Sequence, residues 1–129
     1  VTTTTTGPAV TPGAIADLLE RAADRLETVG WTNRAIVHGD GADLKTARMD
    51  MHGTIAYLAC GSPYEWDNPL AAAAIKELRV RKPVVPGEPP LNLLAWHDFH
   101  AELSDVLALL RNTAKELRQQ PNAMGAAAR

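Results

Sequence analysis

Four histidines fall in three short clusters with aspartates: His38-Gly39-Asp40, Asp50-Met51-His52 and His97-Asp98-Phe99-His100. Imidazole titrates near neutral pH, so a histidine held by a carboxylate is a ready acid/base pair. His52 and His97 are the candidate acid/base or hydrogen-bonding groups, and Asp50 and Asp98 their orienters. The spacing already restricts this. Asp50 and His52 stand two residues apart and do not share a helix face, so Asp50 reads as the cap of a helix with His52 in its first turn. His97 and His100, three apart, could share a face and chelate a metal, but no third ligand is fixed by spacing. No metal and no cofactor is therefore expected.

Each of these residues also has a plain structural reading. Asp98 reads most simply as a cap or turn former before the last helix, and His100 as a solvated residue. On that division His97 would face a cleft and could be replaced with little loss of stability. Trp31 and Trp96 adjoin apolar helices and read as core or cleft walls. Trp66, in "SPYEWDNP", is loop-borne, a candidate ligand platform or rim residue. Tyr57 and His38 complete the candidate ligand-binding set with Trp31 and Trp96. Cys60, among alanines and leucine in a helical stretch, reads as an inert packed thiol. There is no Gly-rich phosphate loop, His-Glu-x-x-His, Gly-x-Ser-x-Gly or paired CxxC. "HGDGAD" lacks the spacing and closing Glu of a calcium loop.

The elements that must position these residues are helical. Thr11-Pro12 reads as a cap and first helical residue. Ile15, Leu18, Leu19, Ala22, Leu26 and Val29 follow at helical spacing to Gly30. "RAIVH" is β-branched and short, and "GDGAD" is a turn, which together suggest an irregular or short β arm. A second helix is expected over about 50–60, closed by Gly61 and Pro63. A third is expected over about 68–81, with Asn68 and Pro69 at its start. "PVVPGEPP" is a proline-rich crossing, and the last helix is expected over about 104–118 with Leu103, Val106, Leu107, Leu110, Ala114 and Leu117 as its stripe. The expectation is an all-α bundle of about four helices spanning 11–118, between a Thr-rich disordered tail (1–10) and a flexible tail (119–129).

At 129 residues the chain supports one core. A net charge of −2 with no long basic run argues against a nucleic-acid binder. No apolar stretch approaches the roughly 18 residues of a membrane span, and "VTTTTTGPAV" lacks the basic start and apolar run of a signal peptide. The single cysteine leaves no internal disulfide and fits a reducing cytoplasm. Abundant Ala, and Arg in excess of Lys, suggest a GC-rich bacterial genome.

The order of the parts carries a resemblance. "LLERAADRLETVGW", a middle helix with glycine in "RMDMHGTI", and "AWHD" before "DVLALLRNTAKEL" resemble a small actinobacterial and actinophage helical family of unknown function. Its pattern runs GW, GAL and WND before a final helix. The resemblance covers about 14–118 and implies a compact helical fold without supplying an activity. It places Trp31, Gly53, Trp96 and Asp98 at pattern positions. His97 stands where the pattern has Asn. Asp50 and His52 stand where many relatives carry Cys and an apolar residue, so this chain has extra titratable groups there.

Two readings follow. The first is a cytoplasmic domain with a small polar-ligand pocket, a small acid/base enzyme or accessory protein of specialised bacterial metabolism. Its pocket would lie where the 31–52 arm and the start of the second helix meet the Trp96–Asp98 step. The second is a non-catalytic protein–protein interaction or regulatory module of phage or bacterial origin. Convergence of His52 and His97 in a concave, partly buried site would favour the first, and scattered exposed histidines the second.

Overall fold

The computed structural model describes residues 10–33, 35–39, 43–84, 87 and 92–120. The expected Thr-rich tail, the turn around Asp40, most of the proline-rich crossing and nearly all of the C-terminal tail lie outside those residues. Among the described residues the chain forms five helices: α1 (Pro12–Thr28), α2 (Met51–Cys60), α3 (Pro69–Arg79), α4 (Leu93–Phe99) and α5 (Leu103–Gln119).

Local chemistry sets the helix ends. The Thr11 hydroxyl accepts from Ala14 N–H, the Asn68 side chain from Leu70 and Ala71 N–H, and Asn92 from Ala95 N–H. Each satisfies a donor that the first turn leaves unpaired. Gly61, at φ 87°, ends α2 in the left-handed region. Apolar stripes then do the packing. Leu18, Leu19 and Leu26 of α1 meet Val106, Leu110 and Leu117 of α5 in the core, and Ile55, Ile75 and Leu78 join them from α2 and α3. Arg118 pairs with Asp17 and Glu20, while Arg111, one helical stretch earlier, pairs with Asp24 and Glu27. Rising numbers on α5 match falling numbers on α1, so the two helices run antiparallel. These pairs are exposed and set register more than stability.

The structure departs from the sequence expectation in three places. Residues 93–99 form a helix of their own, where about four helices in all were expected. Consequently Asp98 does not cap the last helix. Glu102 and Asp105 do, in a reciprocal capping box. Along α5, Leu109 and Thr113 are buried, whereas Leu103 and Leu107 only pack at the margin of the core.

The arm between α1 and α2 contains no strand among its described residues. Two isolated bridges, Trp31 with Met49 and Val37 with Met49, hold it instead. Thr32 N–H donates to Met49 C=O, His38 N–H to Arg48 C=O, and Asp50 N–H to Ile36 C=O at 3.0 Å. The arm lies against Gly53 of α2, where an added Cβ would sit 2.8 Å from Ile36 Cγ2 and 2.9 Å from the Ile36 carbonyl oxygen. That carbonyl is fixed by its bond to Asp50 and cannot swing aside. Gly53→Ala is therefore expected to cost about 1–3 kcal/mol through overpacking. A thermal melt unchanged by it would show that the arm is not held against α2.

Candidate functional site

Asp50 begins the site. It ends the arm and caps α2, its Oδ1 accepting Gly53 N–H at 2.6 Å. That cap places Met51 and His52 in the first turn of α2, both buried. From the other side, Asn92 starts α4 after the proline-rich segment and sets Trp96 into the core with His97 beside it.

His97 is fully buried and is the hub of this region. Its Nε2 accepts from Trp31 Nε1–H at 2.9 Å and from Met51 N–H at 3.3 Å. Both partners are obligate donors, so Nε2 carries no proton. The proton therefore sits on Nδ1 and is donated to Asp98 Oδ1 at 2.7 Å. Burial holds the His97 imidazole below its ordinary range, against the pull of Asp98, which favours the charged form. Asn33 Nδ2 donates to the Asp98 carbonyl, tying the arm to α4 a second time.

Two further groups in this region are strongly shifted. Burial pushes the Asp50 carboxyl up to about 7, Gly53 N–H opposing and the Asp98 charge adding to the rise. Burial, with His97 nearby, pushes His52 down to about 4. His52 is thus a neutral imidazole at neutral pH. Its ring lies 4.9 Å from Trp66, tilted by 36°, and 6.1 Å from His97 at a near right angle. Its Nδ1 is buried without a hydrogen-bond partner.

A pocket of about 300 Å³ opens beside His52, lined also by Trp66, Ile75, Arg79, Asn92, Leu93 and Leu94. Ala72, Ile75 and Arg79 come from one face of α3. The indole N–H of Trp66 is turned back onto Pro63 C=O at 2.8 Å, which fixes the ring. No carboxylate lines this pocket among the described residues.

The sequence-predicted residues divide accordingly. The fold brings Asp50, His52, His97, Asp98 and Trp31 together, but only His52 of that set lines the pocket. His97 does not face a cleft. Trp96 is core. Tyr57 lies under the Arg25 guanidinium, 4.9 Å from its ring centre, and His38 is exposed, so neither belongs to the pocket. His100 is exposed, and Cys60 is exposed rather than packed. Arg79 gave no sequence signal beyond the i, i+3, i+7 spacing that it shares with Ala72 and Ile75.

Asp50, His97 and Asp98 each place a potential ligand atom within 4.8 Å of the others. The donor set does not suit a cation, because the imidazole has no free lone pair. Two N–H groups point at Nε2, and Nδ1 bears the proton. The purified protein is expected to hold no stoichiometric zinc, copper or iron by elemental analysis. A stoichiometric metal removed by Asp50→Asn would show that this network rearranges around an ion.

Comparison with known proteins gives a family and no activity. A family model described as "Family of unknown function (DUF6197)" matches residues 10–116. No curated protein and no solved structure matches.

Proposed function

The chain belongs to DUF6197, a family of unknown function, and we propose that it is a small-molecule-binding domain whose ligand sits in the His52–Trp66 pocket. One observation carries this reading. His52 is a buried, neutral imidazole with an unpartnered nitrogen, and it forms a wall of the pocket. Buried polar atoms in native proteins almost always have partners, and those without one call for a specific explanation. A ligand in the adjacent pocket would supply it once a small turn of the His52 ring brings Nδ1 to the pocket surface. The volume stands at the small end of ligand sites and suits a single-ring molecule rather than a nucleotide.

Binding is the better reading than turnover. The histidine–carboxylate pair expected for acid/base work is spent inside the fold. His97 Nε2 is closed off by Trp31 and Met51, and Asp98 fixes the tautomer. His97 and Asp98 are positioning residues that fasten α4 and the arm behind His52. Asp50 does the same for α2. His52, pushed to about 4, is a weak base at neutral pH. The lone cysteine fits a reducing cytoplasm, and abundant Ala with Arg in excess of Lys fits a GC-rich bacterial genome; a role as an accessory protein of specialised metabolism is part of this proposal. The interaction-module reading rests on exposed apolar side chains: Val80 at the C-cap of α3, Val84 shortly after it, and Phe99 at the end of α4.

The test is His52→Phe, which keeps a ring against Trp66 and removes both nitrogens. Its melting temperature is expected to match or exceed that of the native protein, because an unpaired buried polar atom is lost. Ligand-observed NMR with a mixture of single-ring fragments should show binding to the native chain and little to the variant. Equal fragment binding by both would overturn the reading.

A further inference from the structure

We infer that the pocket takes a small monocarboxylate carried on a flat, apolar body, an inference that rests on the His52–Trp66 pocket being the ligand site. The charge of the lining decides the first part. Arg79 is the one charged side chain among the described lining residues. It is exposed and makes no ion pair or hydrogen bond among the described residues, whereas Arg81, two positions on, is committed to Glu77 and Glu116. Among the described residues, a guanidinium without an ion pair thus borders a pocket with no acidic lining; such a site favours an anion, and the planar fork of the guanidinium matches a carboxylate. A single cation offsets a single charge, which favours a carboxylate over a phosphate dianion.

The shape and polarity of the rest decide the second part. The Trp66 indole is held by its bond to Pro63 and packs against the His52 ring, and both residues line the pocket. Ile75, Leu93 and Leu94 supply apolar lining around it. Flat rings pack offset or edge-on against such aromatic walls. The ligand therefore presents its ring to Trp66 and the leucines, and its carboxylate to Arg79.

Calorimetric titration of the full chain with benzoate, benzamide and phenylphosphonate separates the parts of this inference. Benzoate is expected to bind about tenfold tighter than neutral benzamide, the difference a charge-assisted hydrogen bond makes. Arg79→Gln, an exposed change that spares the core, should abolish that preference by weakening benzoate far more than benzamide. Benzoate should also exceed phenylphosphonate. Equal binding of benzoate and benzamide, unaffected by Arg79→Gln, would overturn the carboxylate class while leaving the pocket as a ligand site. Tighter binding of phenylphosphonate would overturn it in favour of a dianion. Failure of all three probes to bind would overturn the pocket reading itself.

Discussion

His97→Ala is expected to lower stability by about 3–5 kcal/mol, combining a buried cavity with stranded donors. The ring is fully buried, so its removal leaves a void. Trp31 Nε1–H and Met51 N–H would lose the nitrogen that accepts both, and Asp98 would lose the N–H that it holds. An unmatched buried donor costs about 1–3 kcal/mol by itself, so the two donors and the cavity reach the expected sum without further terms. His97→Gln, whose terminal oxygen can reach the place of Nε2, should recover part of the loss. Urea unfolding curves measure both. A loss under about 1 kcal/mol for the alanine variant would mean that the hub is solvated in solution and not the packed contact described above.

The second large effect is a pH dependence that Asp50→Asn should remove. Asp50 titrates near 7 in the folded chain against an ordinary 3.8. The folded state thus keeps a proton that the unfolded chain releases as pH rises between those values. Its contribution to stability is fully present below the unfolded value and is lost as pH rises through 7. His52 has the opposite sign. Its folded value near 4 lies below the ordinary 6.5, so stability from that group is present above 6.5 and lost as pH falls toward 4. The histidine contribution is common to both proteins and cancels in their difference. Asparagine can still accept Gly53 N–H, so the cap survives. The variant should match the native protein near pH 4 and exceed it by about 4 kcal/mol above pH 7, from the free energy of each pKa unit. A difference that stays flat from pH 4 to 8 would show that Asp50 is not a buried, proton-retaining carboxyl.

What could be read from the sequence was what repeats or is local. Thr11-Pro12 and Asn68-Pro69 announce α1 and α3, and the leucine stripes of α1 and α5 reveal their buried faces. Asp50 was legible as a cap because capping spans only three residues. The short helix α4 was not, since seven residues make fewer than two full turns and show no period. It also hides behind the prolines. The role of His97 was illegible for a different reason. Its partners Trp31 and Met51 stand 66 and 46 residues away, and nothing local marks them. Seen alone, "WHD" looks like a polar step at a cleft, which is why the sequence points His97 toward a cleft beside His52. Trp66 was visible as a loop aromatic, but its stacking on His52 depends on how α2 and α3 meet. Arg79 looked like one more basic residue at a helix end.

The central claim is a division between a histidine closed into the fold and one left for a ligand. Nitrogen-resolved NMR of the imidazoles, recorded from pH 5 to 8 with and without benzoate, measures it most directly. His97 should remain a neutral ring protonated on Nδ1 throughout, unmoved by benzoate. His52 should stay neutral over the same range and shift when benzoate is added. A His97 that titrates near 6.5, or that responds to benzoate while His52 does not, would contradict the account.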